Sequence, residues 1–149
     1  LVNNNISRRR LVSKTQFRYV RVVTGNDDVD SRCFYCGELA TTKDHIYPVA
    51  AMSYYVDANV PKKSHIVPSC RECNLIASSN TFRDAEEKCA YIKSKLLSRY
   101  AKLLKVPIWD SGEIEQLDGR LRDYVEELQA RRRIVAERIA HTPNYELLG

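Results

Sequence analysis

The stretch that decides the fold runs from Cys33-Phe34-Tyr35-Cys36-Gly37, through Thr42-Lys43-Asp44-His45-Ile46-Tyr47-Pro48-Val49, to His65-Ile66-Val67-Pro68-Ser69-Cys70-Arg71-Glu72-Cys73-Asn74. Its two ends are C-x-x-C pairs, each able to offer two thiolates to one tetrahedral ion. Four soft sulfur ligands point to zinc. The alternatives are a pair of disulfides or a redox-active dithiol. A reducing compartment disfavours the first, and the second calls for one motif beside a βαβ pattern. A site closed by Cys33, Cys36, Cys70 and Cys73 leaves no position for a reactive water, so this zinc is expected to hold the fold and not to catalyse. It would staple shut a loop that contains Asp44, His45 and His65, giving rigidity to a segment with little core of its own.

A C-x-x-C, then Asp44-His45-Ile46 with Pro48, then an apolar strand entering Cys70-Arg71-Glu72-Cys73-Asn74, resembles the zinc-containing branch of the HNH, or ββα-metal, endonucleases. The layout is similar to that of the phage recombination endonuclease VII family. The motif spans roughly a third of the chain, as bounded by turn and breaker signals. The helical tail, with Tyr91-Ile92-Lys93, Leu103-Leu104 and Pro107-Ile108-Trp109, also looks like that of phage and bacterial HNH proteins.

The resemblance implies that Asp44 and Asn74 hold one Mg²⁺ or Mn²⁺ through oxygen. It also implies that His45 is the general base, taking a proton from the water that attacks phosphorus, a role suited to an imidazole of unperturbed pKa about 6.5. The products would carry 5′-phosphate and 3′-hydroxyl ends. This chain departs from the family at three positions. His65 stands where many members have Asn, Asn74 where many have His, and Tyr47 where a further His is common. His65 would orient the catalytic loop, approach the metal or aid the leaving group. A single histidine is more often a satisfied polar residue than a catalyst, and it is the company of Asp44, Asn74 and both knuckles that gives His45 its reading.

Working outward, residues 1–32 carry seven basic and three acidic side chains, residues 33–80 four of each, and residues 81–149 thirteen and twelve. The formal charge of +5 therefore sits mainly in the N-terminal arm. Duplex DNA requires phosphate neutralisation, and the motif itself is formally neutral. Arg8, Arg9, Arg10, Lys14, Arg18 and Arg21 in the arm, with Lys62 and Lys63 before the His65 strand, are the candidate DNA contacts. The bland alternative for the arm is a solvated leader. Arg131-Arg132-Arg133 alternates with Glu126, Glu127 and Glu137, which reads as a salt-bridged helix face. No helix of a sequence-reading type stands out, so recognition of a base sequence has no support.

Residues 16–23 are β-branched and aromatic but too short to separate helix from strand. Beyond residue 80 the pattern is helical. Thr81 with Asp84 resembles a capping box, and Phe82, Ala85, Cys89, Ile92, Leu96, Tyr100 and Leu103 follow at helical spacing up to Pro107. Asp110 with Glu113 marks a second start. Ile114, Leu117, Leu121, Val125, Leu128, Val135 and Ile139 form a stripe broken at Asp118-Gly119 and closed by Pro143. That stripe suits packing within one chain or a homodimer through the C-terminal helices equally. Cys89 reads as a small buried hydrophobe, and His141 as a partner for the helix dipole.

These readings predict an α+β fold, a small zinc-stapled ββα-metal core with a helical C-terminal extension. The boundaries are a basic arm at 1–32, the nuclease core at 33–80 and the extension at 81–149. The length of 149 residues argues against two large cores, and no apolar run is long enough to span a membrane. No secretory leader is expected after Arg8-Arg9-Arg10, which favours the cytoplasm of a bacterial or phage-infected cell. The competing function is a catalytically inactive, zinc-stabilised nucleic-acid-binding or scaffold module.

Overall fold

The computed structural model describes residues 19–22, 32–47, 64–78 and 80–148. Arg8, Arg9, Arg10, Lys14, Arg18, Lys62 and Lys63 lie outside the described residues, and of Arg21 only the backbone is described.

A three-stranded sheet has the order β1-β3-β2, with β1 Tyr19–Arg21, β2 Thr42–His45 and β3 Ser64–Ser69. The ambiguous run at 16–23 thus contributes a short strand, parallel to β3 with Tyr19 opposite Ser64. β2 runs antiparallel to β3, pairing Asp44 with Val67 and His45 with Ile66. Pro68 sits in the central strand, where a missing N–H would ordinarily break a ladder. Here β1 has already ended at Arg21 opposite Ile66, and what reaches Pro68 is a donor, Phe34 N–H, to its carbonyl at 2.9 Å.

Helix α1 (Arg71–Ala77) follows β3 directly, and its N-cap is Cys70, whose sulfur accepts from the Cys73 N–H. Then come α2 (Ala85–Arg99), α3 (Ala101–Leu104), α4 (Ser111–Glu115), α5 (Gly119–Ala140) and a 3-10 turn at Tyr145–Leu148. The Asp110–Glu113 capping box forms in full, with both reciprocal hydrogen bonds present. The box read at Thr81 does not form. The N-cap of α2 is Asp84, which accepts from Glu87 N–H, while the Glu87 carboxylate turns back to Arg83 N–H. The same acid-rich stretch offers two overlapping cap patterns, and the one with the carboxylate cap nearer the apolar stripe prevails.

The main core cluster joins the sheet, the first knuckle, α1, α2 and the C-terminal end of the described chain. Val22, Phe34, Tyr35, Ile46, Val67, Phe82, Ile92 and Leu96 are buried together with all five cysteines, and Ile139, Tyr145 and Leu148 pack against them. Cys89 is buried in this cluster, as its place on the stripe of α2 suggested. The two faces of the sheet differ. Strand alternation puts Thr42, Asp44, Val67 and Ser69 on the face toward the helices, and Lys43 with His45 on the other. Burial agrees, since Asp44, Val67 and Ser69 are buried and Lys43 is exposed.

Candidate metal centre and its neighbouring carboxylate

The first knuckle is a tight turn. Gly37 N–H donates to Cys33 O, Cys33 N–H donates to Glu38 O, and a bridge between Arg32 and Leu39 closes the strands around it. Gly37 has φ +74, a conformation that side chains other than glycine's rarely adopt. A Cβ there would lie 2.7 Å from His141 Nδ1, so glycine also makes room for that ring. The second knuckle is the N-terminus of α1. Together they bring the sulfurs of Cys33, Cys36, Cys70 and Cys73 within 4.8 Å of one another, all four residues buried.

Cys36 and Cys70 sulfurs are 3.7 Å apart. A regular tetrahedron with metal–sulfur bonds of about 2.3 Å has edges of about 3.8 Å, so the spacing and the donor set fit one tetrahedral ion such as zinc. Mutual proximity of all four sulfurs is the arrangement of a shared ligand set, in place of two separate bridges.

Side chains from the far end of the chain touch the sulfurs. Arg138, on the last turns of α5, points Nε at Cys36 Sγ (3.4 Å) and Nη2 at Cys70 Sγ (3.8 Å), and its Nη1 pairs with Glu72 at 2.7 Å. Glu72 also takes Arg99 at 2.8 Å and the Tyr100 hydroxyl at 2.7 Å. Burial alone would raise the Glu72 carboxyl, but these three donors outweigh it and hold it below the ordinary value of 4.5. The Cys36 thiol is lowered to about 7, chiefly by its hydrogen bond with Cys33, with further help from Arg138. His141, read as a dipole partner, instead bonds the Phe34 carbonyl through Nε2 at 3.2 Å, so α5 is fastened to the first knuckle at two points.

The carboxylate site lies beside this cluster. Asp44 is buried, and its Oδ2 accepts both the Tyr35 hydroxyl at 2.5 Å and the Lys88 ammonium at 2.6 Å. Lys88, on the second turn of α2, is fully enclosed, and its Nζ also donates to the carbonyls of His45 and Ile46 at 3.0 Å each. Burial pushes the Lys88 ammonium down from 10.5 while Asp44 pulls it back up. The Tyr35 hydroxyl is pushed well above 10.0 by burial and then by Asp44, so it stays a donor.

Asn74 follows the last cysteine. Its Nδ2 donates to Thr42 Oγ1 at 3.2 Å, and Thr42 in turn donates to Ser69 O. Asn74 is thereby tied to the strand face that carries Asp44, two residues along β2. His65 emerges by alternation on the Asp44 face, whereas His45 leaves β2 on the opposite face; both are half-buried and engaged in interactions.

Sequence reasoning missed Tyr35, Lys88, Glu72, Arg138 and His141. Lys88 left a trace: with Ala85 and Ile92 it falls on the apolar stripe of α2, where a lysine is out of place unless something receives its charge. Arg138 left none, because its partners lie 102 and 68 residues away in the chain. No helix is long and apolar enough to cross a membrane among the described residues. No protein-family model matches the chain, and no curated protein or solved structure matches it.

Proposed function

We propose that the chain is a divalent-metal-dependent DNA endonuclease of the HNH type, with zinc on Cys33, Cys36, Cys70 and Cys73 as its staple. One observation carries the reading. The four-cysteine cluster fastens the N-terminus of α1 beside β2, so that Asn74, next to the ligand Cys73, is tied through Thr42 to the strand bearing Asp44-His45. The order β2, β3, α1, with β2 antiparallel to β3, also agrees with a ββα unit.

Asp44 Oδ1 and the Asn74 amide oxygen would hold Mg²⁺ or Mn²⁺, which supplies positive charge beside the phosphoryl and leaving oxygens. His45 accepts the proton of the attacking water. Asp44 and His45 leave β2 on opposite faces, so this reading requires a phosphate that reaches both from the end of the strand. Lys43, exposed on the His45 face, would meet the phosphate backbone there. His65, on the Asp44 face, serves loop orientation, metal approach or the leaving group. Cleavage leaves 5′-phosphate and 3′-hydroxyl ends.

The test is nicking of supercoiled plasmid by zinc-loaded protein with Mg²⁺ or Mn²⁺, and with EDTA. A second reading, a zinc-stapled nucleic-acid-binding or scaffold module without catalysis, is favoured by the Lys88 ammonium, which already balances the Asp44 charge. Binding of plasmid, branched and single-stranded DNA with no cleavage of any under either metal would select it.

A further inference from the structure

The stretch between α3 and α4 lies along α5 and leaves an open groove of about 640 Å³ beside it, within the ordinary size of a ligand site. Gln129 fastens that stretch to the helix: its Oε1 accepts the Trp109 N–H at 3.2 Å, and its Nε2 donates to Pro107 O at 2.8 Å. One turn further along the same face of α5 come Arg132 and Arg133, then Ala136 and Ala140, whose short side chains leave the groove open. Ile108 and Trp109 form the other wall and remain 72% and 36% exposed, so apolar and aromatic surface meets water in a concave place. The arginines do not find the helix-face partners that the sequence pattern offers them. Among the described residues neither Arg132 nor Arg133 forms an ion pair; Glu126 pairs with Arg122 instead at 3.1 Å, and Glu137 is exposed. Arg132 Nε is buried without a hydrogen-bond partner, a cost that an acceptor in the groove would remove.

An indole wall beside an unpaired guanidinium calls for a ligand that is flat in one part and anionic in another. An unpaired nucleotide has both parts, since its base stacks on an aromatic ring and its phosphate accepts from arginine. A base inside a duplex has its faces covered by its neighbours, and an acidic peptide brings charge without the flat ring. We propose that this groove binds single-stranded DNA, with a base stacked on Trp109 and the adjoining phosphate on Arg132 and Arg133. The choice of DNA rests on the endonuclease reading, while the groove shares no residue with that site. The substrate is then DNA that carries an unpaired segment, such as a branch or a flap. Trp109 is the chain's one tryptophan, so its fluorescence reports on the groove alone.

In the experiment, zinc-loaded protein without added Mg²⁺ or Mn²⁺ is titrated with oligothymidylate about 10 nucleotides long, within the footprint of one strand-binding fold. Trp109 emission and the anisotropy of a labelled oligonucleotide are followed together. Single-stranded DNA should quench Trp109 in step with binding, whereas a blunt duplex of equal length, an abasic strand and polyglutamate should not. By anisotropy, Trp109→Ala should bind about 5- to 150-fold more weakly, and Trp109→Phe should recover part of that loss. Arg132→Gln should also weaken binding and should flatten the slope of log affinity against log salt by about 0.7. Absence of quenching by the oligonucleotide, equal quenching by polyglutamate or the abasic strand, or variants that bind as wild type does would overturn the proposal. A doubling of mass on sizing that shields Trp109 from iodide without DNA would overturn it too, giving the groove to a second copy of the chain. Plasmid nicking without quenching leaves the endonuclease standing and removes the groove; quenching without cleavage of any DNA does the reverse.

Discussion

At the scale of single residues, the unexpected feature is how far α5 reaches into the sulfur cluster. Arg138 faces Cys36, Cys70 and Glu72 at once, and hydrogen bonds between charged partners contribute about 1.5–3 kcal/mol each when their loss leaves a partner unsatisfied. Arg138→Ala is expected to lower stability by about 2 kcal/mol and to speed transfer of zinc to a colorimetric chelator, with stopped-flow release kinetics as the check. Gly37 gives a second case. Gly37→Ala meets both an unfavourable φ and the His141 ring, so it should cost about 2 kcal/mol in urea denaturation. Adding His141→Ala should relieve the steric part and leave the backbone part, a non-additivity that a double-mutant cycle reads directly. Glu72 has its folded value below 4.5, so its contribution is complete above pH 4.5 and is lost as pH falls through that lower folded value. Glu72→Gln should therefore flatten the acid limb of the stability profile.

At the scale of elements, the two cap sites make a clean comparison. Asp84 accepts from Glu87 N–H at 2.8 Å, whereas Thr81 lies outside α2. Asp84→Ala should cost about 1 kcal/mol and Thr81→Ala less than about 0.5 kcal/mol by thermal or urea denaturation. Equal losses would restore the cap that the sequence pattern suggested. The elements legible in the sequence were those written in local terms: the second cap at Asp110–Glu113, the break at Asp118-Gly119, the end before Pro143, and the stripe of α2. Along α5 the stripe divides, with Val125 and Val135 buried but Leu121 exposed. Periodicity gives the face of a helix and not the length of it that finds a partner. β1 was illegible for a related reason: a three-residue strand takes its identity from pairing with β3, which no local pattern records.

At the scale of the whole molecule, the sulfur cluster lies within the main core, which joins the sheet, α1, α2 and the C-terminal end of the described chain. Chelation should then unfold more than the knuckles. Prolonged treatment with a zinc chelator is expected to remove one zinc per chain and to abolish the cooperative thermal transition followed by circular dichroism, including the signal from α5. Persistence of the helical transition in the metal-free protein would show that the helices stand without the staple. The ligand set was open to sequence reading because C-x-x-C pairs encode their own geometry. The Tyr35–Asp44–Lys88 group was not, because its members come from the first knuckle, β2 and α2, and only folding brings them together. The central claim is that this stapled unit hydrolyses DNA with His45 as base. The direct measurement is plasmid cleavage by wild type and by His45→Ala at matched zinc content, in Mg²⁺, Mn²⁺ and EDTA. Nicking or linearisation by the wild type that needs the divalent cation, and falls by about 100-fold or more in His45→Ala, is the expected result. Equal activity of the two proteins, or none in either while both still bind DNA, would contradict the claim.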